Sequence, residues 1–204
     1  MQKNLVDLFF MELAKGVDRP ASIILTGAAA GEIYGNIRPS MDIDFEICLD
    51  EKNETYLFYL ENLIKDISSR IGIETDYSED ISHWSMIDLL DYRQKAVPYK
   101  KIGKLNIRIL APEHWTIGKI TRFYDLDIRD VLVVIQKKKL DADELIELWA
   151  RAFKASPLSL AKRQFIDHVR EFLKIYGKKA WGNSFKSEKM VKKFENLIYK
   201  VSML

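Results

Sequence analysis

A single cysteine, Cys48, in 204 residues leaves no means of bracing the fold with an internal disulfide and favours a reducing compartment. It follows a run of alternating apolar residues and reads as a small packed side chain rather than a nucleophile. Histidine is scarce too. His83, His114 and His168 are scattered without metal-ligand spacing, which excludes a zinc site of the His/Cys type. His114, just after Pro112 and Glu113, reads as a surface or capping residue. Ser22, Ser40 and Ser85 lie in no nucleophile-elbow context. No apolar stretch approaches the roughly 20 residues that cross a bilayer. Residues 1–16 lack a basic lead and an unbroken apolar block, so no signal peptide is expected. A cytoplasmic protein with no membrane partner is the expectation. Internal repeats and low-complexity linkers are missing, and a net charge of +2 announces no strongly charged partner.

What is present is an ordinary globular composition, 48% hydrophobic and 30% charged, with its charge unevenly spread. Residues 161–200 carry eleven Lys and Arg against four Asp and Glu, a local +7 that leaves −5 for the rest. An acidic front and a basic rear suit a phosphate-rich substrate. Apolar spacing predicts helices over 3–15 and 53–71 and a short one over 28–34. Strands are predicted at 22–25, 41–49, 73–76, 84–90 and 105–110. From Glu113 the pattern is helical almost to the end. Breaks are expected at 140–141, 156–157 and 177–184, with Asp141, Ser156 and Ser184 as candidate caps. The expected fold class is α/β (α+β): a mixed sheet with flanking helices over 1–112, and a helical C-terminal region over 113–204 packed on it.

Residues 26–44 form one chemical unit. A buried strand ends at Gly27 and the chain turns into a helix whose first N–H groups and partial positive charge suit phosphate. The next strand then presents Asp42 and Asp44, two residues apart and therefore on one face, about 6.5 Å apart at Cα. Two hard oxygen donors there suit Mg²⁺ or Mn²⁺ held together with substrate phosphates. Arg38 stands just before the strand as a possible phosphate fork. Either feature alone is commonplace, since a D-x-D on a wet strand face is usually just solvated. Their conjunction is what points to phosphoryl chemistry.

The run Thr26-Gly27-Ala28-Ala29-Ala30 through Gly35, then Arg38-Pro39-Ser40-Met41-Asp42-Ile43-Asp44, resembles the nucleotidyltransferase superfamily signature of a Gly-Gly or Gly-Ser turn followed by D-x-D. Its local form is most similar to bacterial AbiEii-type nucleotidyltransferase-like proteins, a group that includes toxins of toxin–antitoxin pairs. Ala111-Pro112-Glu113 with Lys119, Arg122, Asp127 and Asp130 resembles the group's later motif. Together the likeness spans roughly residues 22–135. It implies Mg²⁺-dependent transfer of a nucleoside monophosphate from an NTP to a hydroxyl of RNA (tRNA included) or protein, and a cognate antitoxin as a possible partner. Asp42 and Asp44 would be catalytic metal ligands. Gly27, Ala28, Arg38, Ser40 and Lys119 would contact nucleotide, with Asp127 supporting the site; the bland alternative leaves Lys119 and Asp127 on a solvated helix face. Such sites usually add a third carboxylate from a later strand. Asp88 is the first candidate, with Asp76 and Glu74 competing and Glu46 sharing the face of Asp42 and Asp44.

Three further readings follow from the residues. A dinucleotide-binding fold would use Glu46, nineteen residues past Gly27, but G-x-G-x-x-G is missing and the paired aspartates have no role in it. Ala28 stands where the family turn has its second Gly or Ser, so it offers no hydroxyl and crowds phosphate; that favours a catalytically degenerate fold used for nucleotide or partner binding. In the tail, Phe165, Phe172, Tyr176, Trp181, Phe185, Phe194 and Tyr199 interleave with lysines. That pattern suits either an RNA surface or a helical core with a solvated basic face.

Overall fold

The computed structural model describes residues 3–35, 41–49 and 53–199. The fold is α+β, built on a mixed five-stranded sheet. The chain divides into two compact units, Met1–Ile81 with Arg93–Ala111, and Ser82–Tyr92 with Pro112–Leu204. The division falls one residue before the expected boundary, and 82–92 joins the second unit.

The first unit runs α1 (Lys3–Gly16), β1 (Ala21–Leu25), α2 (Gly27–Tyr34), β2 (Asp42–Leu49), α3 (Glu54–Ile71) and β3 (Glu74–Ser78). It resumes in α4 (Tyr92–Lys95), whose first residue belongs to the other unit, and ends with β4 (Val97–Ile102) and β5 (Leu105–Ile109). The strand order is β3-β2-β1-β5-β4. β1 is parallel to β5 and antiparallel to β2, β2 is parallel to β3, and β4 is antiparallel to β5. The central β1 is almost wholly apolar because both its faces are covered. In β2 the alternation divides the faces. Ile43, Phe45 and Ile47 are buried, with Phe45 ringed by Phe9 and Phe10 of α1 at 5.9 and 6.0 Å between centroids. The other face carries Asp42, Asp44 and Glu46.

The sequence misses β4, whose apolar rhythm is interrupted by Pro98, Lys100 and Lys101. Those residues mark a blunted edge strand, and the register shifts between Pro98 and Lys100. The strand expected over 84–90 is not formed. A 3₁₀ turn, Ile81–His83, leads into irregular backbone, and the Asp88 carboxylate accepts a hydrogen bond from Leu90 N, which holds Leu90 at φ +55°.

The second unit continues with α5 (Pro112–Arg122), α6 (Asp125–Lys138), α7 (Ala142–Ala155), α8 (Leu160–Glu171), a π-helical turn (Phe172–Tyr176), α9 (Gly177–Trp181) and α10 (Ser187–Tyr199). Its core centres on Trp149, Phe165, Phe172 and Phe194, all fully buried. Asp141 caps α7 by accepting from Glu144 N, as its position suggests. Ser156 instead closes α7, and Ser159 caps α8. α10 begins at Ser187, so Ser184 is not its cap. Gly177 is no break. It lies in a helix, where a Cβ would stand 2.2 Å from the Phe185 ring. Of the tail aromatics, Phe165, Phe172, Phe185 and Phe194 are core and Tyr199 is exposed, which removes most of the stacking surface an aromatic RNA platform needs. Among the described residues no helix is long and apolar enough to cross a membrane.

Candidate functional site

Gly27 opens α2 with φ +61°, a left-handed conformation that costs an L side chain about 1–2 kcal/mol. Sterics forbid a side chain as well. A Cβ built there would lie 1.6 Å from Oδ2 of Asp44. Glycine is thus required because the Asp44 carboxylate rests directly on the turn. The backbone enforces this closeness, since Thr26 N donates to Asp44 O at 2.8 Å just beyond the Leu25–Phe45 register pair. Ala30 N donates to Thr26 O at 3.1 Å, the first hydrogen bond of the helix, so the N–H groups of Ala28 and Ala29 lie in its open first turn. Thr26 makes no side-chain cap. At the far end Gly35, at φ +108°, stops α2, and Tyr34 Oη donates to Leu110 O, tying the helix to the segment after β5.

The pairing of β2 with β3 settles which later acid neighbours the aspartates. Asp44 pairs with Asp76 and Asp42 with Glu74. Phe45 pairs with Tyr77 in the same ladder, and their rings stack at 5.8 Å on the opposite face. Asp42, Asp44, Glu74 and Asp76 therefore share one face of two adjacent strands. Asp88, the first candidate for a third acid, belongs to the second unit. It lies in the irregular 82–92 segment, donates its N–H to Ser156 Oγ at 2.8 Å and spends its carboxylate on a local turn. Asp76, the competing candidate, is the one the sheet sets beside Asp44.

Among the described residues no three acidic, histidine or cysteine side chains converge into a metal cage. The donor set at Gly27 is then a pair of half-buried carboxylates, Asp42 and Asp44. That set fits a hard divalent ion which takes one or two carboxylates and fills its octahedron with phosphate and water oxygens. It does not fit zinc, which prefers nitrogen and sulfur. Arg38 and Ser40 lie outside the described residues.

Glu46 continues the same face yet is fully buried. Its carboxylate accepts from Arg93 Nε at 2.6 Å, from Ile81 N at 3.0 Å and from the Cys48 thiol at 2.9 Å. These partners make it a structural anchor. The role of Arg93 was invisible in sequence because it joins β2 from 47 residues away. Burial, then the bond to Glu46, pushes the Cys48 thiol up to about 12, so it stays protonated and unreactive at neutral pH.

Lys119 and Asp127 are not on a solvated face. In the second unit the Lys119 ammonium is buried, 2.8 Å from Asp127 Oδ1 and 2.9 Å from Asp130 Oδ2, over the Trp115 ring. Arg122 adds two bonds to Asp127. Burial alone would raise the Asp127 carboxyl, but Arg122 and Lys119 outweigh it and hold it below the usual range. The charge of Lys119 is thus matched by protein carboxylates. His114 is likewise not at the surface. It is buried in α5, with Nε2 3.4 Å from Asp91 and Nδ1 lacking a hydrogen-bond partner. Comparisons with protein-family models, curated proteins and solved structures find no match to this chain.

Proposed function

We propose that the chain is a Mg²⁺-dependent nucleotidyltransferase that moves a nucleoside monophosphate from an NTP to an acceptor hydroxyl of RNA or protein. One observation carries the reading: the Asp44 carboxylate rests on Gly27 at the start of α2, with Asp42 on the same strand face. An anion-binding helix start and a carboxylate pair are brought together where phosphates and carboxylates would otherwise repel each other. A bound divalent ion would supply the charge neutralisation that lets both share the place and stabilise the departing pyrophosphate. Gly27 leaves room for Asp44, and the N–H groups of Ala28 and Ala29 would hold the outer phosphates. Asp42 and Asp44 would hold that ion, which would help orient the α-phosphate for in-line attack by the acceptor oxygen. The new bond is acceptor oxygen to α-phosphorus; the bond to the bridging oxygen breaks, pyrophosphate leaves, and the acceptor hydroxyl proton passes to water. Asp76 is paired with Asp44 in the sheet, but the reading rests on the carboxylate pair of Asp42 and Asp44.

The test is calorimetric titration of each NTP with Mg²⁺ and then with EDTA, on the natural chain and on the Asp42→Asn/Asp44→Asn double variant. Metal-dependent binding that the variant loses supports the reading. A double variant that still transfers nucleotide sinks it. A non-catalytic nucleotide-binding module is the second reading, favoured by Ala28 and by the pairing of Lys119 with Asp127 and Asp130. It predicts metal-dependent binding in the titration and no pyrophosphate released with any acceptor.

A further inference from the structure

The sheet of the first unit has two edges, and they are built differently. β4, on one side, is blunted: Pro98 withholds a donor, the register shifts between Pro98 and Lys100, and Lys100 and Lys101 add charge. β3, on the other, has no proline, no lysine and an unbroken register with β2 from Glu74 to Ser78. Such an edge keeps its outward N–H and C=O groups in line for one more strand. Its side chains divide between the two faces with a period of two. Glu74 and Asp76 are exposed on the face of Asp42 and Asp44. Residues 71–80 hold Glu74, Asp76, Glu79 and Asp80 and no Lys or Arg. The edge is therefore open and acidic.

A second observation comes from the opposite face. Thr75 and Tyr77 point there, and with Lys65, Ser68 and Ser69 of α3 they line an open groove of about 650 Å³. The Ser68 and Thr75 hydroxyls, 2.9 Å apart, tie the helix to the strand. The groove thus borders the β3 edge, and the side chains of an added strand would alternate between it and the acids. Lys65 disfavours a cation in the groove, whereas Glu74 and Asp76 favour one on the other side. A second copy of β3 is disfavoured by the same rule, because it would set acids against acids.

We propose that the β3 edge binds an extended segment of a partner protein as one further strand, a segment with Lys or Arg at every second position. Main-chain hydrogen bonds hold the segment, its cations lie beside Glu74 and Asp76, and its intervening side chains, small and uncharged, enter the groove. Acids on an edge also guard it, but only against acidic strands and copies of itself; a basic strand they attract. Neither nucleotide nor metal takes part in this binding, so it stands apart from the transferase reading.

The experiment is fluorescence anisotropy with a labelled, end-blocked peptide in which Lys and Thr alternate, without nucleotide or metal. A peptide of the same composition with its lysines consecutive is expected to bind at least about ten-fold more weakly, since only alternation keeps every cation on the acidic side. Glu74→Lys/Asp76→Lys should lose at least about ten-fold for the Lys–Thr peptide and gain as much for a Glu–Thr one, a reversal that misfolding does not produce. Glu171→Lys/Glu188→Lys, equal in net charge and exposed on the helical unit, should stay within about two-fold. Main-chain pairing is tested by methylating the backbone nitrogens of the lysines alone or of the threonines alone. One set should abolish binding and the other be tolerated, because only one edge of the peptide meets β3. Equal effects of the two methylations would overturn the proposal, as would equal binding of the two lysine arrangements or equal losses from the two double variants. So would sedimentation of the natural chain as a dimer that Glu74→Lys/Asp76→Lys disperses, since a second copy would then be the occupant of the edge.

Discussion

Gly27 is set by two independent constraints, a positive φ and a carboxylate where its Cβ would be. Gly27→Ala is expected to cost about 1–2 kcal/mol in backbone strain and to push Asp44 off the turn. Metal-dependent nucleotide binding should then fall well beyond what the stability loss explains, as measured by calorimetry on the folded variant. Unchanged binding would show that Asp44 has no part in holding nucleotide. Gly27 and the D-x-D spacing were legible in sequence because both are local: one turn, and one strand with a period of two. Glu46 shows where that logic stops. Its side shares the face of Asp42 and Asp44, but only the fold reveals that Arg93 and Ile81 N neutralise it while its neighbours stay half-buried. The strand expected around Asp88 fails for a related reason. An acid flanked by Met86, Ile87, Leu89 and Leu90 imitates a strand residue, yet it serves a two-residue turn.

At the scale of elements, α5 and α6 are joined by the cluster of Lys119, Asp127, Asp130 and Arg122, with His114 buried on α5. Sequence pattern marked 113–140 as helical but missed the break at Phe123 and Tyr124 that separates α5 from α6, and could not tell solvated ions from buried ones. The two kinds differ in acid. Burial holds the His114 imidazole below its ordinary value, Asp91 only partly opposing it. A histidine of this kind takes up its proton on unfolding, so its stabilising contribution is complete above about pH 6.5 and is lost as pH falls through the folded value. Asp127 is depressed as well, and its contribution is complete above about pH 4 and lost below that. The helical unit should therefore weaken in two stages on acidification, the first from His114 and the second from Asp127. Thermal melts between pH 7 and 3 test this. His114→Gln is expected to flatten the stage between pH 7 and 5 and to spare the one below 4. An unchanged profile would place the first stage elsewhere.

Across the whole molecule, the four tryptophans, Trp84, Trp115, Trp149 and Trp181, all fall in the helical unit, and Gly27, Asp42 and Asp44 all fall in the sheet unit. The division into units was partly legible, since a strand-rich front gives way to a helical rear at Pro112, where proline suits the first turn of α5. The capture of 82–92 by the second unit was not, because it depends on bonds such as Asp88 N to Ser156 Oγ across 68 residues. This partition makes the location of nucleotide binding measurable without any substitution. A ligand that binds only the native state at about 100 times its dissociation constant stabilises by about 2.7 kcal/mol. In a chain of this size that amounts to several degrees of melting temperature. Saturating Mg²⁺ and NTP should raise the transition followed by strand circular dichroism, which reports the sheet unit, and EDTA should reverse the rise. Tryptophan fluorescence follows the helical unit. A shift confined to fluorescence, with the strand signal unmoved, would place the nucleotide away from Gly27 and end the case for Asp42 and Asp44 as its metal ligands.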